Sequence, residues 1–184
     1  MKEIVEDTKY LNKLIDECKS GNEIYQEKLY KHFYSYALSV SRLYSYSSEE
    51  AVDILNDSFL KIFSTLKKNG FDNSKSFKFL LRRIIINTSI DNYRKNKKHI
   101  GLLQIEENEP ESNDVEIISQ LAFNDIISLL DKLPEIHRVV FNLYVVQGFK
   151  HGEISEKLKI SISSSRVFLS RAKKELRILI EKHF

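Results

Sequence analysis

Residues 153–176 read EISEKLKISISSSRVFLSRAKKEL, and this stretch decides how the rest of the chain is read. It divides into EISEKL, the turn KIS and the basic run ISSSRVFLSRAKKEL. A short helix, a tight turn and a second helix make helix-turn-helix spacing. That spacing sets the second helix across the first, where it can enter a major groove. Ile154, Leu158, Ile160, Leu169, Ala172 and Leu176 fit an inner face. Ser161 is placed to cap the second helix. Ser163, Ser164, Arg166, Val167, Ser170, Arg171 and Lys174 remain for groove and backbone contacts. The plainer alternative is a helical hairpin with a basic surface.

Working outward, Leu133-Pro134 opens a preceding helix that Gly148 ends, and another helix runs from near Val115 through Asp131. Upstream of these, charge is segregated. Residues 1–98 hold 18 Lys/Arg against 13 Asp/Glu, whereas residues 99–116 hold six acids and no Lys or Arg. Residues 117–184 hold 11 cations against 7 acids, so two basic modules flank an acidic segment. The expected fold is all-α: a helical domain over 1–98, a flexible acidic linker over 99–116 and a helix-turn-helix domain over 117–184. Two prolines and five glycines in 184 residues, with long patterns of helical period, favour helices throughout.

Composition narrows function by exclusion. The single cysteine, Cys18, cannot form an internal disulfide or a CxxC metal site, which suits a reducing cytoplasm. The five histidines have no metal-ligand spacing, and there is no phosphate-binding glycine loop. No catalytic residue, metal or cofactor is expected. No apolar run approaches the ~20 residues that span a bilayer, so no direct membrane insertion is expected. The N-terminus, mixed in charge, does not read as a signal peptide.

The first module is a series of amphipathic helices. Tyr10, Leu11, Leu14, Ile15 and Cys18 form one face of an opening helix, and Leu29 to Tyr44 carries a second apolar stripe. Ser47 or Ser48 followed by Glu49-Glu50 starts a third helix, which sends Ala51, Leu55, Phe59, Ile62, Phe63 and Leu66 inward and stops at Asn69-Gly70. On that helix Asp53, Asn56, Asp57 and Leu60 share one face at i, i+3, i+4 and i+7. They form either a solvated surface or an acidic, partly apolar docking surface for another protein. The next helix, FKFLLRRIIINTSIDNYRKNKK, places Phe77, Leu80, Leu81, Ile84 and Thr88 on one side. Arg83, Asn87, Asp91, Arg94 and Lys98 form a polar stripe on the other, and Lys67, Lys68, Phe71, Lys75 and Phe77 precede or open it. Cations that track a backbone, interleaved with rings that stack on bases, suit a single nucleic-acid strand; a basic solvated helix end is the alternative.

In this order, the three constellations resemble a bacterial RNA polymerase sigma factor of the extracytoplasmic-function type, over about Glu23 to Leu179. EEAVDILNDSFLKIF (Glu49–Phe63) is similar to the region-two helix that grips the polymerase clamp helices, with Asp53, Asn56-Asp57, Phe59 and Phe63 at its motif positions. Phe77 to Lys97 resembles the helix that reads and melts the minus-ten element; Phe77, Leu80, Arg83, Asn87, Asp91 and Arg94 stand at its motif positions. Leu133 to Leu176 resembles region four, which binds the minus-thirty-five element and the polymerase flap. The resemblance implies a non-enzymatic, cytoplasmic factor whose partners are core RNA polymerase, promoter DNA as duplex and as melted strand, and an anti-sigma factor. It also implies that the acidic linker occupies the polymerase's RNA channel. A stand-alone helix-turn-helix regulator is the alternative, and a nucleic-acid-processing enzyme a more distant one. Three departures bear on the duplex contacts: Lys159 where the turn usually has Gly, Ser164-Ser165 where Thr-Val is usual, and Phe168 at a frequently basic position.

Overall fold

The computed structural model describes residues 2–69, 71, 76–100 and 128–183, and every element among them is helical. The chain divides into two compact units: Met1–Ser41 with Ser47–Ser89, and Arg42–Tyr46 with Ile90–Phe184. The second unit thus takes in Arg42–Tyr46 and residues 90–98, which the sequence assigns to the first domain. Residues 101–127, which include most of the acidic segment and the start of the helix expected from Val115, lie outside the described residues.

The first unit is built on four helices: α1 (Lys2–Lys19), α2 (Glu23–Arg42), α3 (Ser48–Asn69) and the start of α4 (Phe77–Ile100). Each boundary has a local cause. Gly21 ends α1 with φ +84, a left-handed conformation that glycine adopts without a Cβ clash, and its N–H donates to the Cys18 carbonyl at 3.1 Å. The Asn22 carboxamide oxygen accepts the Ile24 N–H at 3.2 Å and starts α2. Ser47 Oγ accepts the Glu50 N–H at 3.2 Å and starts α3, with Glu49 and Glu50 favourably placed in the first turn.

Leu14, Ile15 and Cys18 of α1 are buried, and α1 packs on α3. Leu29, Phe33, Ala37 and Val40 of α2 and Ala51, Leu55, Phe59, Ile62 and Leu66 of α3 are buried in the core. Each fully buried large apolar side chain contributes roughly 1.5–3 kcal/mol. Phe33 and Phe77 join α2 to α4 with ring centroids 4.9 Å apart, and Lys61 Nζ donates to Thr88 Oγ1 at 3.1 Å across α3 and α4. Tyr10 departs from the expected inner face and is exposed.

In the second unit α5 (Glu135–Phe141) packs on the helix-turn-helix formed by α6 (His151–Leu158) and α7 (Ile162–His183). Pro134 is the residue before α5 rather than inside its first turn. A π-helical turn over Asn142–Val146 extends α5, and Gly148 closes it with φ +74. Two hydrogen bonds bring the remaining pieces into this unit: Asn142 Nδ2 donates to the Leu43 carbonyl, and Arg94 Nη2 donates to the Glu156 carbonyl at 3.0 Å. Arg138 is fully buried and its Nη1 donates to Asp131 Oδ1 at 3.0 Å, tying the chain before α5 to the core.

Candidate functional surfaces

On α3, Asp53, Asn56, Asp57 and Leu60 are all exposed, and Leu60 keeps 67% of its surface in solvent. The expected face therefore exists: two carboxylates one turn apart, with an uncovered leucine beside them. Tyr30, which the sequence did not single out, helps to hold it. Its hydroxyl donates to Asn56 Oδ1 at 2.9 Å, while its ring leans on Phe59 at 4.8 Å. Burial raises the Tyr30 hydroxyl above its ordinary value, so it remains a donor at neutral pH.

On α4, Arg83, Asn87 and Asp91 are exposed and Arg94 is half-buried, in the expected stripe. Arg94 lies 3.8 Å from Asp91 as well as on the Glu156 carbonyl. Lys67 and Lys68 are exposed in the last turn of α3, whereas the Lys98 side chain and Lys75 lie outside the described residues. Phe77 corrects the sequence reading. It is only 2% exposed and packs on Phe33 and, edge-on, on Phe71 at 5.9 Å, so it is a core residue and cannot stack on a base. Phe71 is half-buried by the same contact. Phe79 is the ring that α4 presents: it is 71% exposed, one turn before Arg83 on the same face.

In the helix-turn-helix the departures have structural answers. Lys159 ends α6 in the left-handed region, φ 54 and ψ 48, the conformation glycine normally supplies. Ser155 Oγ donates to the Ile160 carbonyl at 2.6 Å, and the Ile160 N–H returns to the Ser155 carbonyl at 3.2 Å. These bonds hold the turn in spite of the lysine. Ser161 Oγ accepts the Ser164 N–H at 2.9 Å and caps α7 as expected. Ser165 is fully buried, and its hydroxyl lies 2.9 Å from His151 Nδ1, so the polar residue on the inner face has a partner on α6. Phe168 is buried against the His137 ring, centroids 5.6 Å apart, and cannot act as a backbone cation.

Of the residues read as facing DNA, Arg166 and Lys174 are exposed, and Ser163, Ser164, Ser170 and Arg171 are half-buried. Val167 is a correction: at 2% exposure it belongs to the core. Two histidines underlie this face. Burial lowers His137 below its ordinary value, opposed by Glu175 at 3.2 Å and reinforced by the nearby Arg171 cation. Burial likewise lowers His151, helped by the Arg166 and Lys173 cations. Both rings therefore favour the neutral form. Neither was singled out in the sequence, where only their lack of metal-ligand spacing was legible.

One helical unit carries an exposed acidic face on α3 and a polar stripe that begins on α4, and the other holds a helix-turn-helix. Comparison with known proteins agrees. Residues 29–99 match Sigma-70 region 2 and residues 123–176 match Sigma-70, region 4. The chain is 34% identical over 129 residues to RNA polymerase sigma factor SigZ of Bacillus subtilis, covering 70% of this chain and 72% of that protein. It is 26% identical to the same organism's ECF RNA polymerase sigma factor SigW, over 91% of this chain and 95% of that one. Among solved structures it is similar to CnrH, determined in complex with the cytosolic domain of CnrY. Identity there is 21% over 93% of this chain and 97% of that one, with a TM-score of 0.47. The chain belongs to the sigma-70 family, as a sigma factor of the extracytoplasmic-function type. A stand-alone regulator does not account for the region 2 match. The sigma-70 family is not an enzyme family, and among the described residues no helix is long and apolar enough to cross a membrane.

Proposed function

We propose that this sigma factor divides its work among the three surfaces above. Asp53, Asn56, Asp57 and Leu60 dock on core RNA polymerase, the carboxylates meeting a basic partner while Leu60 is buried by it. Arg83, Asn87, Asp91, Arg94 and Lys98, with Lys67, Lys68 and Phe71, hold the melted strand of the minus-ten element; Phe77 supports them from the core. Unstacking a base costs a few kcal/mol, which contacts to the flipped base offset. Ser163, Ser164, Arg166, Ser170, Arg171 and Lys174 contact upstream duplex, with Val167 supporting them from below. Residues 1–98 and 117–184 act as the two working domains, and the acidic residues 99–116 follow the basic path of the RNA. The factor binds and positions without covalent chemistry of its own, works in the cytoplasm where polymerase and promoter are, and is held in check by an anti-sigma protein.

The observation that carries this reading is the α4 face. Arg83 and Asn87 stand in solvent on the same helix whose opposite side fills the core, so they are free to meet a strand. Asp53→Arg with Asp57→Arg is expected to abolish core binding and leave the fold intact, because both sites are exposed. Asn87→Ala is expected to reduce promoter opening, read by permanganate footprinting, while core binding holds. A lost contact of this kind is worth roughly 1–3 kcal/mol. Full strand opening by Asn87→Ala, or full core affinity in the double reversal, would remove the corresponding assignment.

A further inference from the structure

The first turn of α4 exposes a phenylalanine ring where the rest of the face is polar. Ser76 starts the helix by accepting the N–H groups of Phe79 and Leu80 at 3.0 and 3.3 Å. Phe77 turns into the core, and Phe79, about 200° further round, turns out. A single exposed ring is unremarkable in itself. Its surroundings here are not. Phe79 stands at i, Arg83 at i+4 and Asn87 at i+8, so the ring heads the stripe already assigned to the melted strand.

Lys78 is exposed beside it, with its ammonium over the Tyr36 ring at 4.5 Å. Between Ser76 and Ile90 the helix has three cations and no acid. A lysine and no carboxylate in a first turn opposes the helix dipole, so this end of α4 gains from a polyanion. An exposed ring next to Lys78 in sequence and one turn before Arg83, on a helix segment without acids from Ser76 to Ile90, has the chemistry of a stacking platform for single-stranded nucleic acid. Duplex DNA does not fit, because its base faces are hidden in the stack.

We infer that Phe79 is a base-stacking residue of this sigma factor: an unpaired base of the promoter strand lies against its ring while Arg83 takes the adjoining phosphate. The inference rests on the reading of α4 given above and adds to it a residue that supplies stacking rather than charge. The ring is sequence-tolerant, since every base has a π-face, and therefore stabilises the open strand without selecting which base lies there.

The test uses holoenzyme reconstituted with core polymerase and a short fluorescent single strand of mixed sequence, followed by anisotropy across a salt series. Phe79→Ala and Phe79→Leu are both expected to weaken binding about ten-fold at every salt concentration with an unchanged salt slope, because no charge is lost. Phe79→Tyr and Phe79→Trp, which keep a ring, are expected to stay within about two-fold of the parent. Arg83→Ala is expected to weaken binding and to flatten the slope by about 0.7. If Phe79→Leu binds as well as the parent, the ring is only an apolar contact and the stacking role is wrong. If Phe79→Ala instead lowers affinity for core, the ring belongs to the polymerase interface, which also overturns it. An effect of Arg83→Ala without one from Phe79→Ala defeats this inference alone; no effect from either defeats the reading of α4 on which it rests.

Discussion

Helices α4 and α7 both carry residues assigned to DNA, yet they present different chemistry. The outward face of α4 opens on the bare ring of Phe79 and continues through Arg83 and Asn87. The outward face of α7 opens on the Ser161 cap and continues through Ser163, Ser164 and Arg166, and its own ring, Phe168, is buried. A ring with cations suits bases that have left the stack; hydroxyls and guanidinium groups suit the edges and phosphates of a duplex. The cores beneath differ as well. The buried polar groups under α4 are hydroxyls: Ser89 Oγ donates to the Ile85 carbonyl of its own helix at 2.9 Å, and Thr88 Oγ1 accepts from Lys61 Nζ of α3 at 3.1 Å. Under α7 lie His137, Arg138 and the His151–Ser165 pair, which depend on partners from other elements. The contrast implies that the second unit is the more sensitive to polar substitution and to acid.

The largest effect should come from Arg138. Its stem and guanidinium are fully buried, so Arg138→Ala removes packing as well as the bond to Asp131 and is expected to cost about 3 kcal/mol in denaturant unfolding. Arg138→Met keeps most of the volume and removes the buried charge, and is expected to cost less than about 1.5 kcal/mol. Equal losses would show that the ion pair, rather than the volume, holds the unit together. Next is the tie between α6 and α7. Ser165→Ala leaves the His151 ring without its partner and should cost about 1 kcal/mol. A double-mutant cycle with His151→Ala should return a coupling of the same size. No coupling would mean that Ser165 is merely tolerated inside.

A pH series sharpens the same contrast. Both His137 and His151 have folded-state values lowered from 6.5, so the folded second unit favours their neutral forms. In the unfolded chain they bind protons more readily, so stability from this source is complete above about 6.5 and is lost as pH falls below it. The unfolding midpoint of probes in the second unit should drop between neutral pH and mild acid, and His137→Asn with His151→Asn should flatten the profile. An unchanged profile in that double variant would assign acid sensitivity elsewhere. The smallest effect is at the turn. Lys159→Gly should stabilise by up to about 1 kcal/mol in thermal melts, because the left-handed conformation no longer opposes a Cβ. Destabilisation would mean that the lysine makes a contact worth more than the strain.

Much of this was legible because helical period and capping chemistry are local. Ser161, Lys159, the α3 face and the Arg83–Asn87 stripe follow from spacing and from the conformations that the residue types prefer. Failures occurred where a distant partner sets the phase. Phe77 falls on the apolar side of its helix by spacing yet also counts among the rings that face a strand, while Phe79, on the other side, is passed over. Phe33 and Phe71, brought in by other elements, decide which ring is buried. Val167 and Phe168 are a similar pair: His137 on α5 draws Phe168 inward, and both residues end in the core. The partner of the buried Ser165 is His151, 14 residues away on another helix, and nothing local in the sequence relates the two.

The claim that most needs testing is that one chain reads two promoter elements by two different chemistries. Promoter-dependent transcription by core polymerase plus this protein, on templates randomised at both the upstream and the minus-ten positions, measures this directly. Active templates should show two sequence elements when the protein is present and none with core alone. Asn87→Ala should blur only the downstream element, and Arg166→Ala should change only the upstream one, because it lies in the N-terminal part of the recognition helix that reaches base edges. Templates selected without any sequence element, or variants that leave both elements as they are in the parent, would contradict it.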